Sequence, residues 1–127
     1  MTALHIQTNG PVARVTLNRP EVRNAFNEGL IAELTAAFTE LGQRSDLRAI
    51  VLAAEGKAFC AGADLNWMKA MAGYSWDENH VDATRLADML WALSSCPVPV
   101  VARVQGDVYA GGVGLVEIGR ASCRERV

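Results

Sequence analysis

Two short stretches of small residues stand out as places where the main chain itself could do chemistry. FCAGAD runs from Phe59 to Asp64, and AGGVG runs from Ala110 to Gly114. Small residues let a ligand atom reach backbone N–H groups, and a helix N-terminus behind them adds unpaired donors and a positive dipole end. Two such loops directed at one point would form an oxyanion hole, in which losing one donor costs roughly 3–4 kcal/mol of barrier.

Other uses of glycine fit these stretches less well. Gly56–Ala58 lacks the Ser or Thr that follows the lysine of a P-loop. Gly112 and Gly114 are not followed by a glycine at position 117, so the dinucleotide fingerprint fails. A nucleophilic Cys60 has no histidine near it in sequence to act as a base. From the glycines alone, close packing at two strand–helix junctions is the favoured explanation.

The first half of the chain contains clear element signals. Alternation over 5–8 and 12–17, around Asn9-Gly10-Pro11, predicts a hairpin. A helix is expected over 28–42, capped by Asn27, since apolar residues recur there at spacings of three and four. The apolar run 47–56, which precedes the first small-residue stretch, is typical of a buried strand.

The second half repeats the alternation of helix and strand. Asp64 should cap a short helix, and Ser75–Glu78 has the form of a capping box that starts a longer helix to about Ser94. A buried strand is predicted over 98–104, and the second glycine stretch should open a third helix. The apolar face predicted for the long helix consists of Ala83, Leu86, Leu90 and Leu93. This order predicts an α/β chain with a partly parallel sheet.

The composition and net charge of the chain limit which classes of function are expected. The chain has 127 residues, is 50% hydrophobic and carries a net charge of −2, which is typical of one soluble globular domain. Nucleic acid and anionic membranes are therefore not expected as partners. No apolar run approaches the roughly 18 residues of a membrane span and no signal peptide begins the chain, so the cytoplasm is expected. The three cysteines and two histidines lack metal-ligand spacing. The cysteines are expected to be reduced, with Cys60 and Cys96 as small core residues.

The final eleven residues, 117–127, differ in kind from what precedes them. Apolar periodicity stops at Val116, and EIGRASCRERV then brings five charges. A helix that has just entered a core is not expected to turn polar there. The string also resembles the in-frame translation of a sequencing-library adapter. We therefore expect residues 1–116 to be the domain and 117–127 to be an artefactual tail, with a charged disordered tail as the alternative.

Three separate motifs resemble the enoyl-CoA hydratase/isomerase (crotonase) family. They are LNRPEVRNAF, GKAFCAGADL and CPVPVVARVQGDVYAGGVGLV, and the resemblance covers residues 3–116 in order and spacing. It implies a spiral of ββα units, of which this chain would be an N-terminal fragment. It also implies assembly of the parent as a homotrimer or hexamer, and an acyl-CoA substrate with no separate cofactor or metal.

The resemblance also implies roles for individual residues. The N–H groups of Ala63 and Gly111 would bind the thioester oxygen. Arg23 could approach a CoA phosphate or be a solvated surface arginine. Asp64 should support the site by capping the helix that follows Ala63. Trp67 and Met68 could face the acyl group, although core packing is the favoured role. The residues implied to line the CoA channel are Arg23, Asn24, Ala25, Ala61, Gly62, Asp64 and Leu65.

The acid and base for a reaction are not visible in this sequence. Hydration of an unsaturated thioester needs a group that activates water and a proton donor for Cα. In the family's hydratases two glutamates share this work; the first would fall at Gly114, and the second would lie beyond Val116. An enoyl-CoA isomerase and a non-catalytic CoA-binding module therefore stay open beside a hydratase. The 127-residue chain itself is expected to be inactive and prone to aggregate.

The stretch FCAGADLNWMKAMAGYSWDEN, residues 59–79, is most similar to the branch that hydrates methylglutaconyl-CoA. The resemblance therefore implies a branched enoyl-CoA substrate from leucine breakdown.

Overall fold

The structure is a computed structural model that describes residues 3–118 and 121–124. These described residues form seven strands and four α-helices. The strands are β1 (Leu4–Asn9), β2 (Val12–Leu17), β3 (Ala49–Ala54), β4 (Ala58–Cys60), β5 (Val100–Val104), β6 (Asp107–Val108) and β7 (Ala121–Arg124). The helices are α1 (Glu28–Gly42), α2 (Leu65–Met71), α3 (Trp76–Ser94) and α4 (Gly112–Ile118), with a single 3-10 turn at Pro20–Val22.

One mixed sheet organises the molecule. Its strand order is β1-β2-β3-β5-β7, in which only the β1–β2 pair is antiparallel. Val15 pairs with Leu52, and Leu52 pairs with Ala102, so the middle of the sheet is apolar and fully buried. The predicted α/β class with a partly parallel sheet is confirmed.

The hairpin at the sheet edge forms where the sequence predicts it. β1 and β2 are joined by a turn in which Gly10 has a φ of +59°, a left-handed conformation that glycine adopts without a Cβ penalty. The register pairs Asn9 with Val12, and β2 places Ala13, Val15 and Leu17 in the core.

Helix α1 also begins and ends as predicted. The side chain of Asn27 accepts a hydrogen bond from the Leu30 N–H at 2.8 Å and so satisfies one of the orphan donors of the first turn. One face of the helix is buried against α3 and the sheet. Its buried residues are Leu30, Ile31, Leu34, Ala37, Phe38 and Leu41.

Helix α3 has the predicted capping box but a different buried face. The Ser75 N–H donates to the Glu78 carboxylate and the Glu78 N–H donates to the Ser75 hydroxyl oxygen, both at 3.2 Å, which confirms the box. The buried residues of the helix are Asp82, Met89 and Leu93, whereas Ala83 is exposed and Leu86 and Leu90 are half-buried. The predicted apolar face of the helix was therefore rotated by about one residue from the buried one.

A second, two-stranded sheet was not predicted. β4 and β6 pair in parallel through Ala58–Asp107 and Cys60–Val108. Each lies inside a stretch that was expected to be loop, and strands of two or three residues leave no alternation to detect. This small sheet joins the two small-residue stretches directly.

The segment after Val116 continues the fold. Helix α4 ends at Ile118, and the backbone of Ala121–Arg124 pairs in parallel with β5 at the sheet edge. Residues 119, 120 and 125–127, which belong to the predicted artefactual tail, lie outside the described residues. The pairing of β7 with β5 shows where this backbone lies, but it does not show whether the residues belong to the natural protein. The foreign origin of 117–127 therefore stays a prediction. Within the described residues, no helix has the length and apolarity to cross a bilayer.

Candidate functional site

A surface cleft of about 650 Å³ opens where three segments of the chain meet. These are the loop after β2, the β4–α2 junction, and Tyr109 after β6. Among the residues predicted to form the site, Asn24, Gly62 and Gly111 do not border this cleft. Those that do are Arg23, Ala25, Ala61, Ala63, Asp64 and Leu65. Sequence reasoning did not single out the others, which are Glu21, Val22, Asn66, Lys69 and Tyr109.

The β4–α2 junction turns one backbone N–H away from all protein acceptors. Phe26 N–H donates to the Gly62 carbonyl at 2.7 Å, and its carbonyl accepts from the Asp64 N–H at 2.7 Å. This parallel bridge leaves the N–H of the intervening residue, Ala63, on the opposite side of the strand. Among the described residues, the Ala63 N–H has no hydrogen-bond acceptor.

The β6–α4 junction lies directly against the first. Gly62, with a φ of +90°, is packed so closely that a Cβ on it would lie 3.3 Å from the Gly111 nitrogen. The Gly111 N–H likewise has no acceptor in the part of the chain that is described. Two unpartnered main-chain donors, at Gly111 and at the residue after Gly62, are therefore neighbours across the junction.

Asp64 caps α2, as predicted, and has a second partner that sequence reasoning missed. Its Oδ1 accepts from the Asn66 and Trp67 N–H groups at 2.8 and 3.3 Å, while its Oδ2 lies 3.1 Å from Arg19 Nη2. Burial opposes ionisation of Asp64, but these backbone donors and the Arg19 guanidinium outweigh it, so the Asp64 pKa lies below its ordinary value. Arg19 also donates to the Ala25 carbonyl at 2.6 Å, which ties the first loop to the junction.

Asn24 supports the cleft from behind, and the prediction that its side chain lines the cleft is corrected. Its side chain is 0% exposed. The amide nitrogen donates to the carbonyls of Glu55, Ala58 and Phe59 at 2.9–3.2 Å, and the amide oxygen accepts from Arg19 N–H at 2.8 Å. These bonds hold the residue in a left-handed conformation, with φ at 57°.

Cys60 packs between the two junctions as a buried side chain. Its thiol is fully buried and lies 3.3 Å from the Asn24 carbonyl. Burial disfavours the thiolate and raises the pKa of Cys60, although the Gly62 backbone opposes part of that effect. Cys96 is also buried, so the predicted core role of both residues is confirmed.

The cleft wall carries both charge and aromatic groups. Arg23 and Lys69 are exposed cations that border the cleft. The hydroxyl of Tyr109 donates to Asp107 at 3.1 Å, and this bond raises the pKa of Tyr109 because the tyrosinate would face a carboxylate. The cleft therefore offers positive charge to an anionic ligand.

Acid–base groups are scarce beside the two free donors. Gly114 lies in the first turns of α4 against Leu90, and Asp64 is committed to the α2 cap and Arg19. No cluster of potential metal ligands occurs in the described residues. Trp67 is buried as predicted, but Met68 is 49% exposed, so the favoured core role was wrong for Met68. The arrangement can stabilise negative charge on a carbonyl oxygen through the main chain.

Comparison with solved structures defines the fold class. The chain superposes with a TM-score of 0.93 on a protein described as an enoyl-CoA hydratase/isomerase (crotonase) from Legionella pneumophila, at 34% identity. That match covers 98% of this chain and 48% of the other. An enoyl-CoA hydratase from Shewanella pealeana gives a TM-score of 0.93 at 34% identity, covering 96% and 46% of the two chains. The architecture is the mixed α/β crotonase fold.

Sequence comparison supplies the family. The profile described as enoyl-CoA hydratase/isomerase matches residues 7–119, and the chain belongs to that family. A Mycobacterium tuberculosis protein named "Probable enoyl-CoA hydratase" is 39% identical over 104 residues, which are 82% of this chain and 40% of the relative. The mitochondrial Delta(3,5)-Delta(2,4)-dienoyl-CoA isomerase of Mus musculus is 39% identical over 116 residues, covering 83% and 35%. The chain thus spans less than half the length of these relatives.

Proposed function

We propose that the complete protein hydrates an α,β-unsaturated acyl-CoA, whose thioester oxygen is bound by the N–H groups of Ala63 and Gly111. The observation that carries the proposal is the pair of unpartnered donors on adjoining loops. As water adds to Cβ, negative charge moves onto the thioester oxygen, and fixed N–H dipoles stabilise it without reorganisation. Asp64 and Arg19 act by holding the loop that presents Ala63.

The CoA part of the substrate would lie along the cleft. Arg23 and Lys69 offer positive charge to its phosphates, and Ala25, Ala61 and Leu65 offer an open, small or apolar wall to its pantetheine arm. Gly62 contributes by having no side chain, because a Cβ there would crowd Ala110 and Gly111. CoA enters as part of the substrate, and no separate cofactor is part of the proposal.

The finer assignment is methylglutaconyl-CoA as the substrate, in leucine breakdown. It is supported by the likeness of residues 59–79 to that branch. We further propose a cytoplasmic protein that assembles as a homotrimer or hexamer. The carboxylates that activate water and protonate Cα would come from outside the described residues, since Gly114 has no side chain to offer.

A double-bond isomerase is the second candidate within enzymes. A mitochondrial dienoyl-CoA isomerase is 39% identical to this chain, so the family likeness supports both reactions. Both need the same enolate, and they differ in whether a carboxylate delivers water or shuttles a proton. Gly114 also favours a non-catalytic CoA-binding module to some degree, because a carboxylate is missing at that place. Assay of the complete protein for loss or migration of the conjugated double bond separates these three outcomes.

The binding part of the proposal is testable on the complete protein. We expect acetyl-CoA to shift the amide NMR signals of Ala63 and Gly111 downfield, because a carbonyl acceptor enters the site. Ethyl-CoA, a thioether without the carbonyl, is the matched control and should leave those two signals in place while still perturbing Arg23 and Lys69. Equal effects of the two compounds on the signals of Ala63 and Gly111 would contradict the oxyanion hole.

A further inference from the structure

Helix α2 forms part of the cleft wall and packs on the core through two side chains, Trp67 and the half-buried Met71. It has seven residues, and Trp67 is its single buried one. Leu65 and Lys69, one turn apart, face the cleft. Helices this short are marginal by themselves, so their placement depends on tertiary contacts. The position of this wall must therefore follow from the few contacts that α2 makes.

Besides its apolar packing in the core, Trp67 makes a buried hydrogen bond to the next helix. The indole Nε1–H donates to Asp82 Oδ2 at 3.2 Å. Trp67 is 8% exposed and Asp82 is 6% exposed. Among the described residues, Asp82 has no cation within ion-pair distance, so its burial is not compensated by an opposite charge.

Packing alone does not explain an aspartate at this position. The other buried residues of α3 are Met89 and Leu93, which lie seven and eleven positions further along. A leucine at 82 would fill the same face without burying a carboxylate. What leucine cannot do is accept the indole hydrogen bond, and a buried indole N–H normally has a partner.

The space around this contact shows why a hydrogen bond is needed. One surface groove of about 360 Å³ is bordered by Trp67 and Tyr74, and another of about 350 Å³ by Asp82 and Tyr74. Open grooves flank the contact, so side-chain packing does not fix α2 from those directions. The Tyr74 hydroxyl donates to Glu28 at 2.8 Å, but this second hydrogen bond is exposed and competes with water.

We propose that Asp82 is a positioning residue for the cleft: through the indole N–H of Trp67 it fixes helix α2 and with it the wall formed by Leu65 and Lys69. The functional meaning of this inference rests on the proposed function, because the wall matters to catalysis only if the cleft binds an acyl-CoA. The hydrogen bond between Trp67 and Asp82, called the tether below, does not depend on any ligand.

The first test measures the tether without a ligand. Asp82→Leu should speed exchange of the Trp67 indole proton and of the backbone amides over 65–69 by about tenfold, as expected for loss of one buried hydrogen bond. Asp82→Asn keeps an acceptor oxygen and should leave these rates close to wild type. Asp88→Leu removes an exposed carboxylate from the same helix and is the control.

Exchange elsewhere decides between positioning and general stability. The amides of α1 and β3 should be unaffected in Asp82→Leu if the residue acts on α2. Uniformly faster exchange in all three elements would mean that Asp82 only stabilises the fold, and unchanged exchange of the indole and of 65–69 would mean that it holds nothing. Either result overturns the proposal.

The second test asks whether the tether affects binding. Acetyl-CoA should bind Asp82→Leu and Trp67→Phe about tenfold more weakly than wild type, with Asp82→Asn restoring most of the affinity. Trp91→Phe, at a tryptophan that is 71% exposed, is the matched control. Full affinity in both tether variants overturns the positioning role. If wild type itself does not bind acetyl-CoA, the proposed function fails, while the exchange rates still decide the tether.

Discussion

The two junctions that meet at the cleft present their N–H groups by opposite means. At the β4–α2 junction, side chains do the holding: Asp64 caps the helix, Arg19 binds Asp64, and Asn24 bonds three carbonyls from below. At the β6–α4 junction, the close packing depends on Gly112 having no side chain. A Cβ on Gly112 would lie 2.7 Å from the Cys60 carbonyl oxygen and 2.9 Å from its Cβ.

This difference shows two solutions to one physical problem. A backbone N–H that must stay unpaired has to be held by its neighbours, since its own hydrogen bond cannot hold it. The first junction uses charged and amide groups that bond the chain on either side of Ala63. The second uses close contact of Gly112 with β4, which leaves no room for movement or for a side chain.

The largest effect is expected from removing the buried amide under the first junction. Asn24→Ala should lower the free energy of unfolding by about 3 kcal/mol, because the buried Phe59 carbonyl and the Arg19 N–H lose the Asn24 side chain as partner. Urea denaturation measures the change. Asn18→Ala, at an exposed asparagine, is the control and should stay within about 0.5 kcal/mol of wild type. A small effect at Asn24 would show that water replaces its bonds.

The next effect tests close packing at the second junction. Gly112→Ala should cost about 2 kcal/mol, because its Cβ would overlap the Cys60 backbone and something must shift. Gly114→Ala, on the same helix, meets only Leu90 at an ordinary 3.5 Å and should stabilise by about 0.5 kcal/mol. The same denaturation experiment measures both. Equal signs for the two substitutions would refute the assignment of Gly112 as a close-contact position.

A smaller effect is expected at the helix cap of the first junction. Asp64→Ala should cost about 1.5 kcal/mol, because α2 loses its cap and the half-buried Arg19 loses its carboxylate partner. Asp64→Asn keeps a capping oxygen and should fall between alanine and wild type. If asparagine is as damaging as alanine, the ion pair contributes more than the cap.

The smallest effect is the pH dependence of that same residue. Because the Asp64 pKa is lowered in the folded chain, its contribution is present above the unfolded carboxyl's pKa, about 3.9, and is lost as pH falls through the folded value. The stability difference between wild type and Asp64→Asn should therefore shrink from pH 7 towards about pH 3. Thermal unfolding across this range measures it. A difference that does not change with pH would argue against a lowered pKa.

Local features of the fold could be predicted because their causes are local. The Asn27 cap and the Ser75–Glu78 box depend on residues three positions apart, and both are confirmed. The Asp64 cap is confirmed for the same reason. Contacts between distant residues could not be predicted this way. The Arg19–Asp64 pair joins residues 45 positions apart, and the sequence around neither residue indicates the other as its partner.

The sequence by itself determined the order of the longer strands and helices, the two small-residue junctions and the caps, because periodicity and capping act within a turn or two of chain. Tertiary structure decided that β4 and β6 pair, that Asn24 points inward, and that Asp82 is buried beneath Trp67. It also decided which backbone donors stay unpaired. Pairing depends on what lies across the junction, and only the folded chain brings Gly62 and Gly111 together.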